Sequence, residues 1–527
     1  MGSYAHWFDT SSGMPRVSDG NVADFFIDGD SAFEDLGERL ELDGGSGAAL
    51  YLLGWSCDIN TTVRATATPA GRTLGDHLAF FARKGSTVRA MLWKNTIMAT
   101  AGCDVAVPFI NALPGGMGRA ILDHRTPLAG AHHQKVQILI PSAAAAQVTA
   151  GEAPPAVAYC GGMDVFPDRV GAAALHDVHC KLRGPAADDL VRVFQDRWND
   201  HPDHTGNLTD RFSQAGYGKS MVQVCATYPT FQSALAYSLI VGQGMDSVVK
   251  AVQGKGVPSA GDMRVNGSVR FYNFYQPGVG VQQIARAVKK AIAEAKRFIY
   301  LEDQYLTSKW VGDALAAKLA ATKDPAFRIV ILALEPSLAD IEQIWPRRRA
   351  VLAGLKATDP TRKRWTVVTR RLDRPHGYVH SKTWIVDDEL VITGSANADR
   401  RGYTYNSEVD VVVAGDVTPG TGVSLTPGAT TLAQELRARL FAKHLGGKAT
   451  DHLRPGPSLA RFFGDLRSTA VVAFDPNSQV GKSDKYAAPA LSASPALLNA
   501  VLLATGLTLE ELLWDYLEDP DSAVVLP

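Results

Sequence analysis

HSKTWIVDDELVITGSAN, residues 380–397, has a worn counterpart earlier in the chain, where HQKVQILIP begins at His133 and AVAYCGGMD ends at Asp164. The two stretches align once residues 142–155 are set aside. That segment, SAAAAQVTAGEAPP, has no apolar period and is rich in Ala, Pro and Gly, the composition of a surface turn between strands. Its removal lays His133 on His380, Lys135 on Lys382 and Gly161 on Gly394. Further on, HDVHCKL from His176 matches SEVDVVV from Ser407, which brings Asp177 onto Glu408. Similarity of this kind marks a duplicated folding unit, and it decides the architecture before any single element is assigned.

Upstream the order of elements recurs as well. ALYLLGW (49–55) and FIYLEDQYL (298–306) are apolar strand-like runs, each followed by a helical stretch. TVRAMLW (87–93) and FRIVILAL (327–334) have the apolar, β-branched character of strands covered on both faces. Between them, VQQIARAVKKAIAEAK (281–296) puts Ile284, Val288, Ile292 and Ala295 on one helical face, with Lys289, Lys290 and Lys296 elsewhere. Such alternation predicts an α/β fold: two α/β/α sandwich halves with mixed sheets, related by a pseudo-two-fold axis, with the active site at their interface. The expected divisions are 1–205 for the first half, 206–265 for a connecting region, 266–447 for the second half and 448–527 for a C-terminal extension. The connection holds the strand-like MVQVCATYP (221–229) and a Gly-rich stretch, 242–267; in the extension, LARFFGDL (459–466) and SPALLNAVLLATG (494–506) read as packed elements without evident chemistry.

A histidine two positions before a lysine on a strand puts both side chains on one face of the sheet. Two such pairs meeting across a pseudo-two-fold axis make a cationic pocket. Lys135 and Lys382 are placed to hold non-bridging phosphoryl oxygens while His133 and His380 flank the phosphorus. An imidazole serves both as nucleophile and as acid near neutral pH, so a phosphodiester can be cleaved through a phosphohistidine with no metal and no cofactor. Each ring needs an acceptor on its other nitrogen to fix its tautomer. Asp177 and Glu408 are the candidates, each expected to serve the histidine of the opposite half. On symmetry alone either histidine is the nucleophile.

His380-Ser381-Lys382 followed by Asp387 is the HxKxxxxD signature, continued by GSAN (394–397), Arg400-Arg401 and Asn406-Ser407-Glu408. In these residues the chain resembles the phospholipase D superfamily. The first half resembles the branch seen in plants and animals and in some bacteria, through HHQK (132–135), GGMD (161–164), HDVHCKLRGPA (176–186) and FQDRWN (194–199). Glu302-Asp303-Gln304-Tyr305 is similar to that branch's acidic-Gln-Tyr element, and the likeness touches most of residues 47–447. The resemblance implies metal-independent ping-pong chemistry with His133 as nucleophile and His380 as acid. It also implies a phospholipid headgroup ester as substrate, with transphosphatidylation as a companion reaction. Asn397, Ser395, Asp387 and Gln304 are then expected to support the pocket, whereas Asp164 serves either the pocket or only its own turn. One position departs from the pattern, since Ile140 stands where the second repeat has Asp387, which puts substrate class and local loop structure in question more than activity.

Composition narrows the partners. Of 527 residues, 53 are basic and 54 acidic, a formal charge of −1 that exerts no global pull on nucleic acid or an anionic membrane. Two basic runs, 345–349 and 362–374, are locally charged enough to meet phosphates, though such runs are commonly solvated faces. The resemblance implies a phospholipid at a membrane surface as partner, met peripherally; a nucleic acid is the weaker partner and stays open. The five cysteines are scattered and odd in number, which reads as reduced thiols and not a disulfide framework. His176, His179, Cys180 and Cys160 lack a second ligand pair for zinc, and GKS at 481–483 lacks the first glycine of a nucleotide loop. Residues 1–16 show no basic-then-apolar leader and no run reaches membrane-span length, so the chain reads as soluble, with the compartment left open between cytoplasm and export. Both halves lie in one chain, so a monomer suffices for the site. The competing functions are a nuclease or phosphotransferase on another phosphodiester, and a non-catalytic lipid- or anion-binding protein on the same scaffold.

Overall fold

A computed structural model describes residues 4–66, 71–94, 102–123, 125, 131–147, 155–209, 216, 218–229, 280–335, 344–404, 406–418 and 425–474. The first half supplies β1 (Val17–Ile27), β2 (Ala49–Gly54), β3 (Thr62–Arg64), β4 (Arg72–Thr73), β5 (Thr87–Trp93), β6 (Gly118–Asp123), β7 (Val136–Ile140), β8 (Val157–Gly161) and β9 (Val178–Arg183). There follow β10 (Ser220–Tyr228), β11 (Val281–Gln282), β12 (Phe298–Asp303), β13 (Arg328–Ala333), β14 (Trp365–Arg370), β15 (Lys382–Val386), β16 (Leu390–Gly394), β17 (Glu408–Ala414) and β18 (Val471–Ala473).

The duplication is visible strand by strand. The first half runs β6-β5-β2-β7-β8-β9 and the second β14-β13-β12-β15-β16-β17. In each, parallel pairing on one side gives way to antiparallel pairing on the other: β2 is parallel to β5 and antiparallel to β7, as β12 is parallel to β13 and antiparallel to β15. The fold is thus α/β, with two pseudo-two-fold-related halves and mixed sheets. Helices 29–43, 74–83 and 103–111 pack on the outer face of the first half. Helices 283–294, 309–321 and 344–358 do the same for the second. Two further helices, 185–200 and 432–445, follow the equivalent strands β9 and β17 and share one central core between the inner faces. Strands β2, β7, β8, β12, β15, β16 and β17 are buried along their whole length, charged and polar members included.

The halves are joined into a single 16-stranded sheet by β1 and β10. Met221–Pro229, which the sequence places in a connection, is β10, paired to β17 along its length. β1 changes partner midway, pairing β10 through Val17–Asn21 and β9 through Val22–Ile27, with an irregularity between Ser18 and Asn21. Asn21 makes the switch possible: its amide donates to the carbonyls of Ser18 and Ser220, at 3.0 and 3.2 Å, and its side-chain oxygen accepts from the Ala186 N–H at 2.8 Å. At the far end, β18 from the C-terminal extension pairs β14. Residues 242–267, 481–483 and 494–506 lie outside the described residues.

Each basic run contributes one buried, structural arginine, while Arg349, Arg362, Lys363 and Arg374 are exposed. Arg348 is buried and donates to the carbonyls of Gln304, Tyr305 and Leu334, each at 2.7 Å. Residues 365–370 form β14, and Arg370 is buried there among carbonyls and the His444 ring.

Candidate active site

The two histidine motifs meet where the halves exchange backbone hydrogen bonds. His133 N–H donates to the Ser407 carbonyl at 2.9 Å, and Ser407 N–H returns to the Ala131 carbonyl at 2.9 Å. The mirrored exchange lies opposite: His176 N–H donates to the Tyr378 carbonyl at 2.7 Å, and His380 N–H to the His176 carbonyl at 2.8 Å. Each histidine therefore sits just ahead of its own strand, β7 or β15, beside the residue that precedes its orienting carboxylate on β9 or β17.

The carboxylates cross as the duplication predicts. His380 Nδ1 lies 2.7 Å from Asp177 Oδ2. His133 Nδ1 lies 3.0 Å from Glu408 Oε2 and 3.0 Å from the Ser395 carbonyl. Glu408 is itself fixed by Ser395 Oγ at 2.5 Å and the Asn406 amide at 3.2 Å. Asp177 Oδ1 accepts from the Val178 N–H at 2.8 Å, which leaves Oδ2 for the imidazole. In both rings a carboxylate on Nδ1 fixes the N–H there and turns the Nε2 lone pair outward.

Glycines make room for this. A Cβ on Gly162 would lie 2.2 Å from Asp177 Oδ1, and one on Gly394 2.1 Å from Asp410 Oδ1. The GG and GS pairs at the ends of β8 and β16 are thus set by close carboxylate packing.

Both lysines are buried, and each donates to the carbonyl two residues back, Lys135 to His133 at 2.9 Å and Lys382 to His380. Lys135 Nζ also pairs with Asp164 Oδ2 at 3.3 Å, and Lys382 Nζ donates to Gln304 Oε1 at 3.1 Å. Burial, then Lys135 and Lys382, hold the His133 imidazole well below its ordinary pKa. Burial, then Lys382 and Arg169, do the same to His380, with Lys135 and His133 adding to it. Each ring feels the other half's lysine, so the two motifs share one electrostatic site. Burial also lowers Lys382 to about 8, and it pushes Glu408 up to about 8.

The supporting residues divide. Ser395 and Gln304 join the site through the contacts given. Asp164 does too, since it binds Lys135 while Oδ1 accepts from the N–H groups of Trp55 and Ser56 at 2.8 and 3.1 Å. Asn397 is buried in the loop after β16, and its side-chain oxygen has no hydrogen-bond partner among the described residues. Asp387 stands at the other end of β15, where its carboxylate accepts from the N–H groups of Lys296, Arg297 and Phe298 at 2.6–2.8 Å. It secures the start of β12 and does not reach the His–Lys site. Its counterpart Ile140 is buried in the central core at the end of β7, opposite Ala49, so the missing motif aspartate leaves the pocket untouched.

Three features escaped sequence reading. Trp55, at the end of β2, stands edge-on to His133 with ring centroids 6.3 Å apart, under Lys135 Nζ at 6.0 Å. Arg169 brings a guanidinium nitrogen to 3.3 Å from His380 Nε2. A buried network beneath Asp177 links the halves: His176 bonds Asp28 and Glu302, each at 2.9 Å, and His444 from helix 432–445 bonds Glu302 at 2.9 Å. His176, Glu302 and His444 bring ligand-type atoms within 4.8 Å of one another. Their lone pairs are committed, however. Arg370 donates to His444 Nδ1 at 2.8 Å, so Nε2 carries the proton given to Glu302, and His176 donates from both nitrogens. Burial alone would lower the His176 pKa, but Glu302 and Asp28 raise it. The arrangement is a buried ion cluster complete without a metal. His179 bonds Gln137 at 2.9 Å and Cys160 the Val409 carbonyl, so these residues and His176 point to separate partners.

Fold and site define a duplicated α/β protein whose halves share one His–Lys centre. Residues 171–314 match the family described as phospholipase D, and residues 288–420 the family described as cardiolipin synthase, PLD-like domain. The chain belongs to the phospholipase D superfamily. It is 21% identical over 517 residues to phospholipase D alpha 4 of Arabidopsis thaliana, covering 76% of this chain and 62% of that protein. To cardiolipin synthase 2 of Staphylococcus epidermidis it is 29% identical over 134 residues, 25% of this chain and 24% of that one. The chain spans 35–62% of the length of the plant phospholipases D it matches. Among solved structures it is similar to phosphatidylserine synthase of Haemophilus influenzae, with a TM-score of 0.47 at 10% identity over 75% of this chain and 82% of that one. No described helix is long and apolar enough to cross a membrane.

Proposed function

We propose that this protein cleaves a phospholipid headgroup ester through a phosphohistidine intermediate. The observation that carries the reading is the crossed pairing of His380 with Asp177 and His133 with Glu408, beside two buried lysines. The His133 Nε2 lone pair attacks phosphorus, the bond to the headgroup oxygen breaks, and protonated His380 gives its proton to the departing alkoxide. Lys135 and Lys382 hold the non-bridging oxygens as charge builds in the transition state. His380, now neutral, takes a proton from water; the hydroxide oxygen bonds to phosphorus as the P–N bond breaks, releasing a phosphatidyl product and free His133. Asp177 and Glu408 keep each ring in its working tautomer and stabilise the imidazolium form. Ser395, Asn406 and Gln304 orient the charged groups.

A second reading is transfer of the phosphatidyl group to an alcohol in place of water. It draws support from the match of residues 288–420 to the cardiolipin synthase PLD-like domain. Contact with the bilayer is peripheral in either case. The test is headgroup release from phosphatidylcholine, phosphatidylethanolamine and phosphatidylglycerol vesicles in chelator, with and without ethanol. Hydrolysis gives phosphatidic acid, transfer gives phosphatidylethanol, and both are abolished by His133→Ala or His380→Ala. Nicking of plasmid DNA with no lipid turnover would assign the site to nucleic acid. Turnover of no diester at all would leave a binding protein.

A further inference from the structure

We propose that Arg169 is a third phosphoryl-holding cation of this site, one that caps His380 in the empty protein and releases it when a phosphodiester enters. The inference rests on the phosphodiester reading and adds a residue that the HxK motifs do not contain. Arg169 lies in the 3-10 turn Pro167–Arg169 between β8 and β9, and its side chain is buried. One guanidinium nitrogen is 2.6 Å from Asp168 Oδ1, and another is 3.3 Å from His380 Nε2. Because His380 gives its Nδ1 proton to Asp177, Nε2 holds the lone pair, and the guanidinium, which has donors only, gives a hydrogen bond to it. The atom that must carry the leaving-group proton is therefore covered by a cation in the empty site.

An anionic phosphoryl oxygen is a stronger acceptor for a guanidinium than a neutral imidazole. On substrate entry the Arg169 N–H exchanges Nε2 for a non-bridging oxygen, while Asp168 keeps the other edge of the fork. Nε2 is then open beside a new negative charge, and His380 takes one proton from solvent, the proton it later gives to the leaving oxygen. No covalent bond of Arg169 is made or broken. The charged and titratable groups facing His380 are Asp177, Lys382, Lys135, His133 and Arg169, with Asp164 paired to Lys135. Every cation among them opposes protonation in the empty site, and Arg169 is the one in hydrogen-bond contact with Nε2. Arg169 lies eight residues before Asp177 and Arg400 eight before Glu408, so both repeats carry an arginine at this distance from the orienting carboxylate.

The test uses the full chain with orthovanadate as phosphoryl probe, and the pH profile of kcat/KM on phosphatidylcholine vesicles, for wild type, Arg169→Ala and Arg169→Lys. Loss of one charge-assisted contact is expected to weaken vanadate binding about tenfold or more in Arg169→Ala, with Arg169→Lys in between. Removal of the cap also moves the basic limb of kcat/KM to higher pH, which a merely structural role would not do. Wild-type vanadate affinity with an unmoved basic limb in Arg169→Ala would overturn the assignment while leaving the phosphodiester reading intact. If Arg169→Ala does not fold, Arg169→Lys decides: weaker vanadate binding supports the assignment and wild-type affinity overturns it. A wild-type protein that neither binds vanadate nor turns over any diester overturns the phosphodiester reading, and Arg169's part with it.

Discussion

Asp177→Asn separates orientation from charge at His380 with almost no change of volume. Asp177 Oδ1 is engaged by the Val178 N–H at 2.8 Å, a bond that only an acceptor can keep. In the variant the amide oxygen therefore stays on Val178, and the NH2 faces His380 Nδ1 where an acceptor stood at 2.7 Å. The imidazole must turn over its tautomer, placing the lone pair on Nδ1 and the proton on Nε2, where that proton meets a guanidinium donor of Arg169 at 3.3 Å. Two donors then confront each other, and the imidazolium that His380 must form loses its counter-charge. Carboxylate-to-carboxamide replacement at such a partner lowers turnover roughly 10³–10⁴-fold, about 4–5.5 kcal/mol of transition-state stabilisation. The assay is initial-rate headgroup release from phospholipid vesicles, with thermal unfolding run in parallel to show that the variant is folded. Turnover within tenfold of wild type in a folded variant would refute the view that Asp177 sets the His380 tautomer.

Other perturbations test the surrounding structure. Gly162→Ala puts a methyl group 2.2 Å from Asp177 Oδ1, so the carboxylate must shift; headgroup release is expected to fall at least about a hundredfold and stability by about 2–3 kcal/mol, read by urea unfolding. Ile140→Asp restores the motif letter but buries a carboxylate in the central core, so it should destabilise by about 3–5 kcal/mol and bring no gain in kcat; a more active variant would contradict the placement. Stability should be greatest near pH 6.5. Burial holds His132, His179 and His444 to about 3, below the ordinary 6.5, so the unfolded chain takes up more protons as pH falls through that range and the fold weakens. Asp410, raised to about 8 by burial, binds a proton in the folded state and loses it as pH rises, so the fold weakens toward pH 8 as well. Each group contributes up to about 1.4 kcal/mol per pH unit, and the three histidines, joined by the depressed His133 and His380, outweigh Asp410 below pH 6.5. Urea unfolding at pH 5.5, 6.5 and 7.5 checks the sign; stability rising steadily to pH 8 would contradict it.

What could be read from sequence is what the duplication wrote twice. The strands at 49–54 and 298–303, the His–Lys pairs and the crossed carboxylates each had a partner in the other repeat, and the partner supplied the geometry that one copy alone could not. Features present once were hidden. β1 contains Ser18, Asp19, Gly20 and Asn21, residue types common in turns; they are the irregularity by which one strand serves two neighbours. β10 was legible as a strand, but its place at the seam follows only from which edges the two sheets leave open. Arg169 sits in a short turn between β8 and β9, so no strand or helix periodicity marks it. Asp28, His176, Glu302 and His444 come from four separated segments, and only the packing of helix 432–445 against the central core brings them together. Asp387 shows the opposite case, a motif residue whose position in the signature says nothing of its distance from the chemistry.

The most direct measurement of the central claim is mass spectrometry of His380→Ala quenched in denaturant at mildly alkaline pH, where a P–N bond survives, after mixing with a phosphatidyl ester of a good leaving group. That variant retains the attacking imidazole and lacks the ring that activates water, so the intermediate accumulates. A phosphatidyl adduct on the peptide containing His133, absent in His133→Ala, is the predicted result. Substrate consumed with no adduct on either histidine would contradict covalent catalysis by two imidazoles sharing one phosphorus.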